Sequence, residues 1–125
     1  MTSFVTHLEC SLTGEIYPAR EVHGLSRAGR PLLVRYDLAA LKGAVSKETL
    51  AKRTDGFWRY REFLPVEMEK NRISLGEVVT PLIRTPRIEA LRGGGEVFVK
   101  DEGRLPTGSF KARGLALAVS MAKEL

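Results

Sequence analysis

The chain has 125 residues, enough for one small domain but few for an α/β enzyme built on an open parallel sheet. Hydrophobic residues make up 43% and charged residues 28%, a composition typical of a folded globular protein and not of a disordered or membrane-embedded segment. The net charge of +5 does not indicate nucleic-acid binding, because the basic residues are interspersed with acidic ones and accompany no nucleic-acid motif. We therefore expect neither nucleic acid nor a membrane as partner.

The N-terminus and the cysteine content indicate the compartment. The first ten residues, MTSFVTHLEC, lack the basic start and apolar core of a secretory signal, so we expect a cytoplasmic protein. Cys10 is the only cysteine, which excludes an internal disulfide and a cysteine-rich zinc site within this chain. The sequence therefore predicts a reduced, structural cysteine and no metal.

The first 40 residues alternate short apolar runs with turn residues, as a small antiparallel β unit does. Val34, Tyr36 and Leu38 alternate with charged residues, which predicts a half-buried strand. The preceding RAGRP predicts a turn.

Helical patterns follow this unit. Ser46 is the expected N-cap of a helix, and Gly56 separates that helix from a second helical piece. The aromatic residues after Gly56 predict a buried helix face and not a ligand-binding cluster. Two Thr-Pro pairs predict an extended loop from Val79 to Pro86, because a residue before proline avoids helical geometry.

The last third of the chain carries a strand, a glycine-bearing loop and a helix. GGGEVFVKDEG predicts a turn and a strand over 97–99, and SFKARGLALAVSMAKEL predicts a helix. The predicted apolar face of this helix comprises Leu115, Ala118, Val119 and Ala122. A strand, a loop and a helix form half of a βαβ unit, so the predicted fold class is α/β.

The loop RLPTGSFKARG places a lysine at the expected first turn of the helix. Gly103 and Gly108 have the spacing of a phosphate-binding P-loop, but that motif needs Lys and Ser or Thr directly after the second glycine. Lys111 comes three residues after Gly108. A positive charge at a helix start interacts unfavourably with the helix dipole, at a cost of about 0.3–1 kcal/mol. Either the Lys111 amine is solvated, or burial and a neighbouring charge such as Arg113 make it a neutral nucleophile. The residue pattern leaves both open.

The stretch KDEGRLPTGSFKARG resembles the cofactor-lysine signature of the fold-type-II pyridoxal 5′-phosphate enzymes, a group that contains threonine synthases, threonine dehydratases and tryptophan synthase β chains. The resemblance implies that Lys111 binds the cofactor covalently and moves protons at the substrate α-carbon. It also implies that Phe110 packs beside the cofactor, while Ser109 caps the helix. Ala112 departs from the Asp of many relatives, which concerns how the lysine is oriented and not which residue it is.

Four further segments follow the N-terminal layout of threonine synthases: LECSLTGEIYP, RPLLVRYDL, WRYREFLPV and LGEVVTPLIRTPRI. This resemblance implies conversion of O-phospho-L-homoserine and water to L-threonine and phosphate by a parent enzyme that could be a homodimer. Two alternatives stay open: a threonine dehydratase-like lyase that shares the lysine motif, and a non-catalytic fragment.

Paired cysteines often occur in the lead-in of such enzymes. Here Cys10 alone remains; Thr13 takes the second position, and Leu25 and Ala28 stand where a second pair would be. The resemblance thus implies a zinc-ribbon-like antiparallel lead-in over 1–40 that has lost its metal ligands. Residues 41–125 would begin a tryptophan synthase β-like α/β domain that is truncated within the helix after the lysine. Because the remaining cofactor contacts of the family lie downstream, we expect the isolated chain to be inactive.

Overall fold

The structure, a computed structural model, describes residues 3–54 and 56–125. The strands are β1 (Val5–Cys10), β2 (Ile16–Tyr17), β3 (Leu32–Tyr36), β4 (Leu82–Arg84) and β5 (Phe98–Lys100). The α-helices are α1 (Leu38–Ala44), α2 (Lys47–Ala51), α3 (Pro86–Leu91) and α4 (Lys111–Glu124). Short 3₁₀ helices cover Phe57–Phe63, Glu69–Asn71 and Glu102–Arg104.

The lead-in forms a three-stranded antiparallel sheet in the order β2-β1-β3, as its alternating pattern predicted. Strand β3 ends at Tyr36, so the prediction that Leu38 continues the strand is wrong. Asp37 ends the strand because its Oδ1 accepts a hydrogen bond from the Ala40 N–H at 2.9 Å and caps α1. Leu38 is therefore the first residue of a helix.

Cys10 is buried at the end of β1, where two turns meet. Its Sγ lies 3.1 Å from Ser26 Oγ, and the Thr13 N–H donates to the sulfur at 3.4 Å. Hydrogen bonding with Ser26 and then with Thr13 lowers the pKa of the thiol to about 7. The predicted RAGRP turn is present, with Gly29 at a φ of 66°. The residue of this turn that contacts the sulfur is Ser26. The positions at which the resemblance places a second cysteine pair are Leu25 and Ala28, so Ser26 was not predicted.

Ser46 caps α2 as predicted, since its Oγ accepts from the Thr49 N–H at 3.1 Å. Gly56 separates α2 from the 3₁₀ helix that follows it and lies against the 77–78 backbone. A Cβ at Gly56 would stand 1.5 Å from the Glu77 carbonyl oxygen, so no other residue fits there without moving the chain. The Phe57 N–H donates to this same oxygen at 3.1 Å.

The aromatic segment is only partly buried. Trp58 is the anchor, with its Nε1 donating to the Ile73 carbonyl at 2.9 Å. Tyr60 and Phe63 are exposed, which corrects the prediction of a buried helix face. The physical reason is the tighter winding of a 3₁₀ helix, kinked here at Tyr60, which does not align these side chains on one α-helical face.

Strand β4 pairs antiparallel with β5, with Ile83 opposite Val99. The segment before Pro86 is extended as predicted, but residues 82–84 form a strand and not a loop, because β5 supplies hydrogen-bond partners. Pro86 begins α3, a position where its missing N–H costs no helical hydrogen bond. Strand β5 begins one residue later than predicted.

Helix α4 buries a narrow stripe of small residues at four-residue spacing: Ala112, Ala116 and Ser120. The predicted apolar face is exposed; Leu115 and Val119 keep 57% and 53% of their surface accessible. Small side chains allow neighbouring segments to approach closely, so the small-residue stripe faces inward. Leu115 and Val119 remain exposed. The other buried apolar residues are Cys10, Leu41, Val66 and Leu105.

Of the helices within 3–54 and 56–125, none has both the length and the apolar character needed to cross a bilayer.

Candidate active site around Lys111

Lys111 is the first residue of α4, as the sequence predicted. The Ser109 hydroxyl accepts from the Lys111 N–H at 3.3 Å, and the Ser109 carbonyl accepts from the Ala112 N–H at 3.3 Å. Phe110 is the residue directly before the helix, and its side chain accepts no hydrogen bond from the first N–H groups of the helix. Ser109 therefore satisfies part of the helix start, which is the role that the sequence assigned to it.

The Lys111 side chain is exposed, and its Nζ lies 4.8 Å from the centre of the Phe110 ring. Phe110 itself is 62% exposed. Within the described residues, the Lys111 amine makes no hydrogen bond or ion pair, whereas the Lys100 and Lys123 amines donate to the Thr80 and Lys70 carbonyls. The burial that would favour a neutral amine is thus not supplied by these segments. The two residues that the resemblance named lie side by side, open to a ligand.

The loop before Lys111 is built from short-range contacts. Asp101 accepts from the Gly103 N–H at 3.2 Å and from Arg104 Nε at 2.8 Å. Leu105 is buried and anchors the loop, and its carbonyl accepts from the Gly108 N–H at 2.7 Å. Gly108 has a φ of 69°, in the region that favours glycine. The glycine spacing that resembles a P-loop therefore serves this turn.

An ion pair joins the beginning of the loop to the first turn of α4. Arg113 Nε donates to Glu102 Oε2 at 2.8 Å, Arg113 Nη2 donates to Oε1 at 3.2 Å, and the Thr80 hydroxyl donates to the same carboxylate. The Arg113 and Thr80 hydrogen bonds lower the pKa of Glu102 to about 2, and Glu102 raises the pKa of Arg113. Arg113 is thus occupied by Glu102, which corrects its expected role as a charge acting on Lys111.

The sequence did not reveal Glu102 as part of this arrangement. The two residues are 11 positions apart across an irregular loop, a separation that no helical or strand periodicity connects. The available signal was an acid and a base flanking the glycine-bearing loop at either end of the motif.

A cleft of about 380 Å³ lies beside the ion pair. Its lining includes the charged residues Glu102, Arg113 and Lys100 and the aromatic residues Phe57 and Tyr60. Lys111 is not among the residues that line this cleft. Elsewhere in the part of the chain that the structure describes, no group of three His, Cys, Asp or Glu side chains could hold a metal ion.

Comparison with known proteins agrees with the motif. Residues 73–125 match the pyridoxal-phosphate dependent enzyme family. Over 116 residues the chain is 43% identical to the threonine synthase of Methanocaldococcus jannaschii, a match that covers 93% of this chain and 29% of that protein. Over 120 residues it is 37% identical to the threonine synthase of Methanosarcina acetivorans, covering 95% and 29%. The chain therefore spans less than a third of the length of these relatives.

Part of the chain also matches a different enzyme. Over 66 residues, 47% of this chain and 14% of the relative, it is 42% identical to the 2-amino-4-ketopentanoate thiolase beta subunit of Acetoanaerobium sticklandii. No solved structure matches the chain. The match to the pyridoxal-phosphate dependent enzyme family covers the part of the chain that carries the lysine motif. The relatives matched along nearly the whole chain are threonine synthases, which confirms the resemblance seen in the sequence.

The residues present fit the cofactor of this family, pyridoxal 5′-phosphate. Its aldehyde reacts with a primary amine, and Lys111 offers one that is exposed and unpaired within the described residues. The Phe110 ring beside this amine offers a flat apolar surface.

Proposed function

We propose that Lys111 is the catalytic residue that binds pyridoxal 5′-phosphate covalently, with Phe110 against the cofactor. The observation that carries this proposal is the position of the motif lysine: it falls inside the family match, at a helix start, with an amine that makes no hydrogen bond or ion pair with the described residues. When bound, the cofactor supplies an electron sink for carbanions. Lys111 would hold it and then take and return a proton at the α-carbon of the substrate.

We propose further that the longer protein converts O-phospho-L-homoserine and water to L-threonine and phosphate. The support is the extent of the similarity: the two archaeal threonine synthases match the lead-in as well as the lysine segment, over 93% and 95% of this chain. A dehydratase-like reaction shares the lysine motif and is the alternative outcome of the test below. A homodimeric, cytoplasmic parent enzyme stays a prediction.

The lead-in is proposed to be a ribbon that keeps the shape of a zinc-binding unit without the metal. The turn after β1 and the turn before β3 meet at Cys10, but the group facing the sulfur is the Ser26 hydroxyl. One thiolate and one hydroxyl do not form a tetrahedral zinc site. Metal analysis of the chain after equilibration with Zn²⁺ and desalting should find no stoichiometric zinc, and one bound equivalent would contradict this proposal.

The reaction is tested in a chimera. This 125-residue chain replaces its matching segment in the Methanocaldococcus jannaschii threonine synthase, and two activities are measured: phosphate release from O-phospho-L-homoserine and 2-oxobutanoate release from L-threonine. We expect phosphate release coupled to threonine formation, with Lys111→Ala lowering it by about 10²- to 10⁴-fold. Lys123→Ala, which changes a lysine at the other end of α4, is the matched control.

Release of 2-oxobutanoate alone would favour the dehydratase alternative. Full activity in the Lys111→Ala chimera would contradict the assignment of the catalytic lysine. The isolated chain is expected to form no threonine, since it spans 29% of each archaeal relative.

A further inference from the structure

We propose that Glu102 and Arg113 are positioning residues, an ion-pair clamp that holds the turn carrying Lys111 in place. This inference rests on the proposed function, because it assigns the clamp to the lysine that binds the cofactor. It adds two residues that do not themselves contact cofactor or substrate.

The clamp closes a loop around the lysine. Glu102 lies at the start of the 3₁₀ helix that follows β5, and Arg113 lies in the first turn of α4. Two parallel hydrogen bonds at 2.8 and 3.2 Å join them, the fork geometry that gives guanidinium–carboxylate pairs their directional strength. The ends of the 102–113 segment are therefore tied, and Lys111 lies two residues inside the tie.

The clamp is itself anchored to a third segment. Thr80 is 2% exposed, and its hydroxyl donates to the Glu102 carboxylate. Arg113 Nη2 also donates to the Val78 carbonyl at 3.2 Å, and the Lys100 amine donates to the Thr80 carbonyl. An isolated exposed ion pair contributes little to stability, but a carboxylate with three donors from two different segments restricts where the helix can start.

The side chains of Arg113 and Lys111 leave helix α4 in different directions. Residues two apart on an α-helix point about 200° apart around its axis. Arg113 therefore holds one side of the first turn while the Lys111 side chain leaves from the other, and the Lys111 amine makes no hydrogen bond or ion pair with the described residues. The ion pair can thus fix the backbone of the turn while the Lys111 amine remains available to react.

The test uses the intact chain and three variants. Glu102→Gln removes the charge at nearly constant shape, Glu102→Asp retains the charge on a shorter side chain, and Glu89→Gln is the matched control. Glu89 also receives two hydrogen bonds from one arginine, Arg84, at 2.9 and 3.1 Å, but it lies on α3. Each protein is incubated with pyridoxal 5′-phosphate, reduced with borohydride and mapped for the ratio of label at Lys111 to label at Lys47, an exposed lysine on α2.

Glu102→Gln is expected to lower this ratio about tenfold, because a misplaced nucleophile loses orientation. Glu102→Asp should recover part of the loss, and Glu89→Gln should keep the wild-type ratio. A thermal melt of each variant accompanies the mapping. If Glu102→Gln lowers the ratio only by unfolding the chain, or if Glu89→Gln lowers it equally, the clamp is overturned.

A second readout separates the clamp from the cofactor assignment. Amide hydrogen exchange at Leu105, Gly108 and Ala112 reports the loop without any ligand, since all three N–H groups donate within it. Glu102→Gln should accelerate their exchange at least about fivefold, while the Leu125 N–H at the far end of α4 is unchanged. Unchanged exchange overturns the clamp. A wild-type chain that shows no preference for Lys111 but the expected exchange contradicts the proposed function and leaves the clamp as a fold feature.

Discussion

The two ends of helix α4 are held in different ways. At the C-terminal end, Ser120 is fully buried; its hydroxyl accepts from the Ile73 N–H at 2.9 Å and donates to the Ala116 carbonyl at 2.7 Å. Glu124 accepts from the Glu67 and Met68 N–H groups at 2.7 and 3.1 Å. At the N-terminal end, one ion pair holds a turn whose lysine is exposed. The buried end stabilises the helix, and the open end is the one that can react.

One segment connects these two ends. It runs from Ile73, which bonds Ser120, to Val78 and Thr80, which contact the Glu102–Arg113 pair. Its middle is fixed by Glu77, a buried carboxylate that accepts from the Ser74 hydroxyl and from the Leu75 N–H at 3.1 Å. A substitution that displaces this segment should therefore destabilise both ends of α4, whereas a substitution at one end should affect that end alone.

The largest loss of stability is expected from Gly56→Ala, because the new methyl group would clash with the segment that connects the two ends of α4. The new Cβ would stand 1.5 Å from the Glu77 carbonyl oxygen and 2.7 Å from its carbon, and a backbone clash cannot be relieved by a side-chain rotation. We expect the free energy of unfolding to fall by about 3 kcal/mol or more. Exchange should accelerate at both ends of α4. Chemical denaturation and hydrogen exchange measure the two effects.

Gly43→Ala is the matched control for that change. Gly43 lies within α1, and a Cβ there meets nothing within 4 Å. Alanine should stabilise the chain by up to about 1 kcal/mol, because glycine is the poorer helix former. A Gly56→Ala protein as stable as the wild type would show that the two ends are not joined through residues 73–80.

Ser120→Ala should damage the buried end alone. The substitution leaves the Ile73 N–H without its acceptor in a buried position, which costs about 1–3 kcal/mol. The ratio of label at Lys111 to label at Lys47 should not change under conditions where the variant is folded. Ser11→Ala, at an exposed serine, controls for the loss of a hydroxyl. A changed ratio in Ser120→Ala but not in Ser11→Ala would contradict the separation of the two ends.

Cys10→Ala acts in the lead-in sheet and should lower the free energy of unfolding by about 1 kcal/mol, for one buried group and its hydrogen bonds. The thiol is 1% exposed and contacts Ser26 in the lead-in sheet. Thermal melting should record this loss, with no change in labelling of Lys111 and no change in exchange along α4. Faster exchange at Ala112 would show that the lead-in supports the lysine turn, contrary to our comparison.

The smallest effect is a pH dependence at the buried end. Burial works to raise the pKa of Glu124, but hydrogen bonds from Glu67, Asn71 and Met68 outweigh it and hold the pKa below its ordinary value of 4.5. A carboxylate with a lowered native pKa stabilises the fold above its ordinary pKa and loses that contribution as pH falls through the native one. Glu124→Gln should therefore flatten the fall of the melting temperature below about pH 4.5.

The open end should respond over a wider range. The pKa of Glu102 is lowered to about 2, so its contribution is present above 4.5 and is lost between there and 2. Melting curves of the wild type, Glu124→Gln and Glu102→Gln between pH 7 and pH 2 compare the two. Identical slopes in all three proteins would contradict the account of both carboxylates.

Local patterns predicted the frame of the site. The Ser46 cap, the RAGRP turn and the helix that begins at Lys111 each depend on neighbouring residues, which is the information a sequence carries most directly. The lysine itself was found through its motif, which combines a loop and a helix start in one continuous stretch.

The errors arose where contacts between distant residues decide the outcome. Strand β3 ends at Tyr36 because Asp37 caps a helix, and Tyr60 and Phe63 are exposed because their segment is a kinked 3₁₀ helix. The Glu102–Arg113 pair could not be predicted from periodicity, since an irregular turn brings its members together. Helical periodicity shows that a face is apolar, but not which neighbour covers it.

The central claim is that Lys111 is the cofactor lysine, and one measurement tests it most directly. The chimera that carries this 125-residue chain in the Methanocaldococcus jannaschii threonine synthase is titrated with pyridoxal 5′-phosphate, reduced with borohydride and digested, and the label is mapped over the lysines of this chain beside a Lys111→Arg control. Saturable labelling that concentrates on Lys111, and that does not move to another lysine in the control, is the predicted result. Labelling spread evenly over the lysines, or unchanged in total by Lys111→Arg, would contradict the claim.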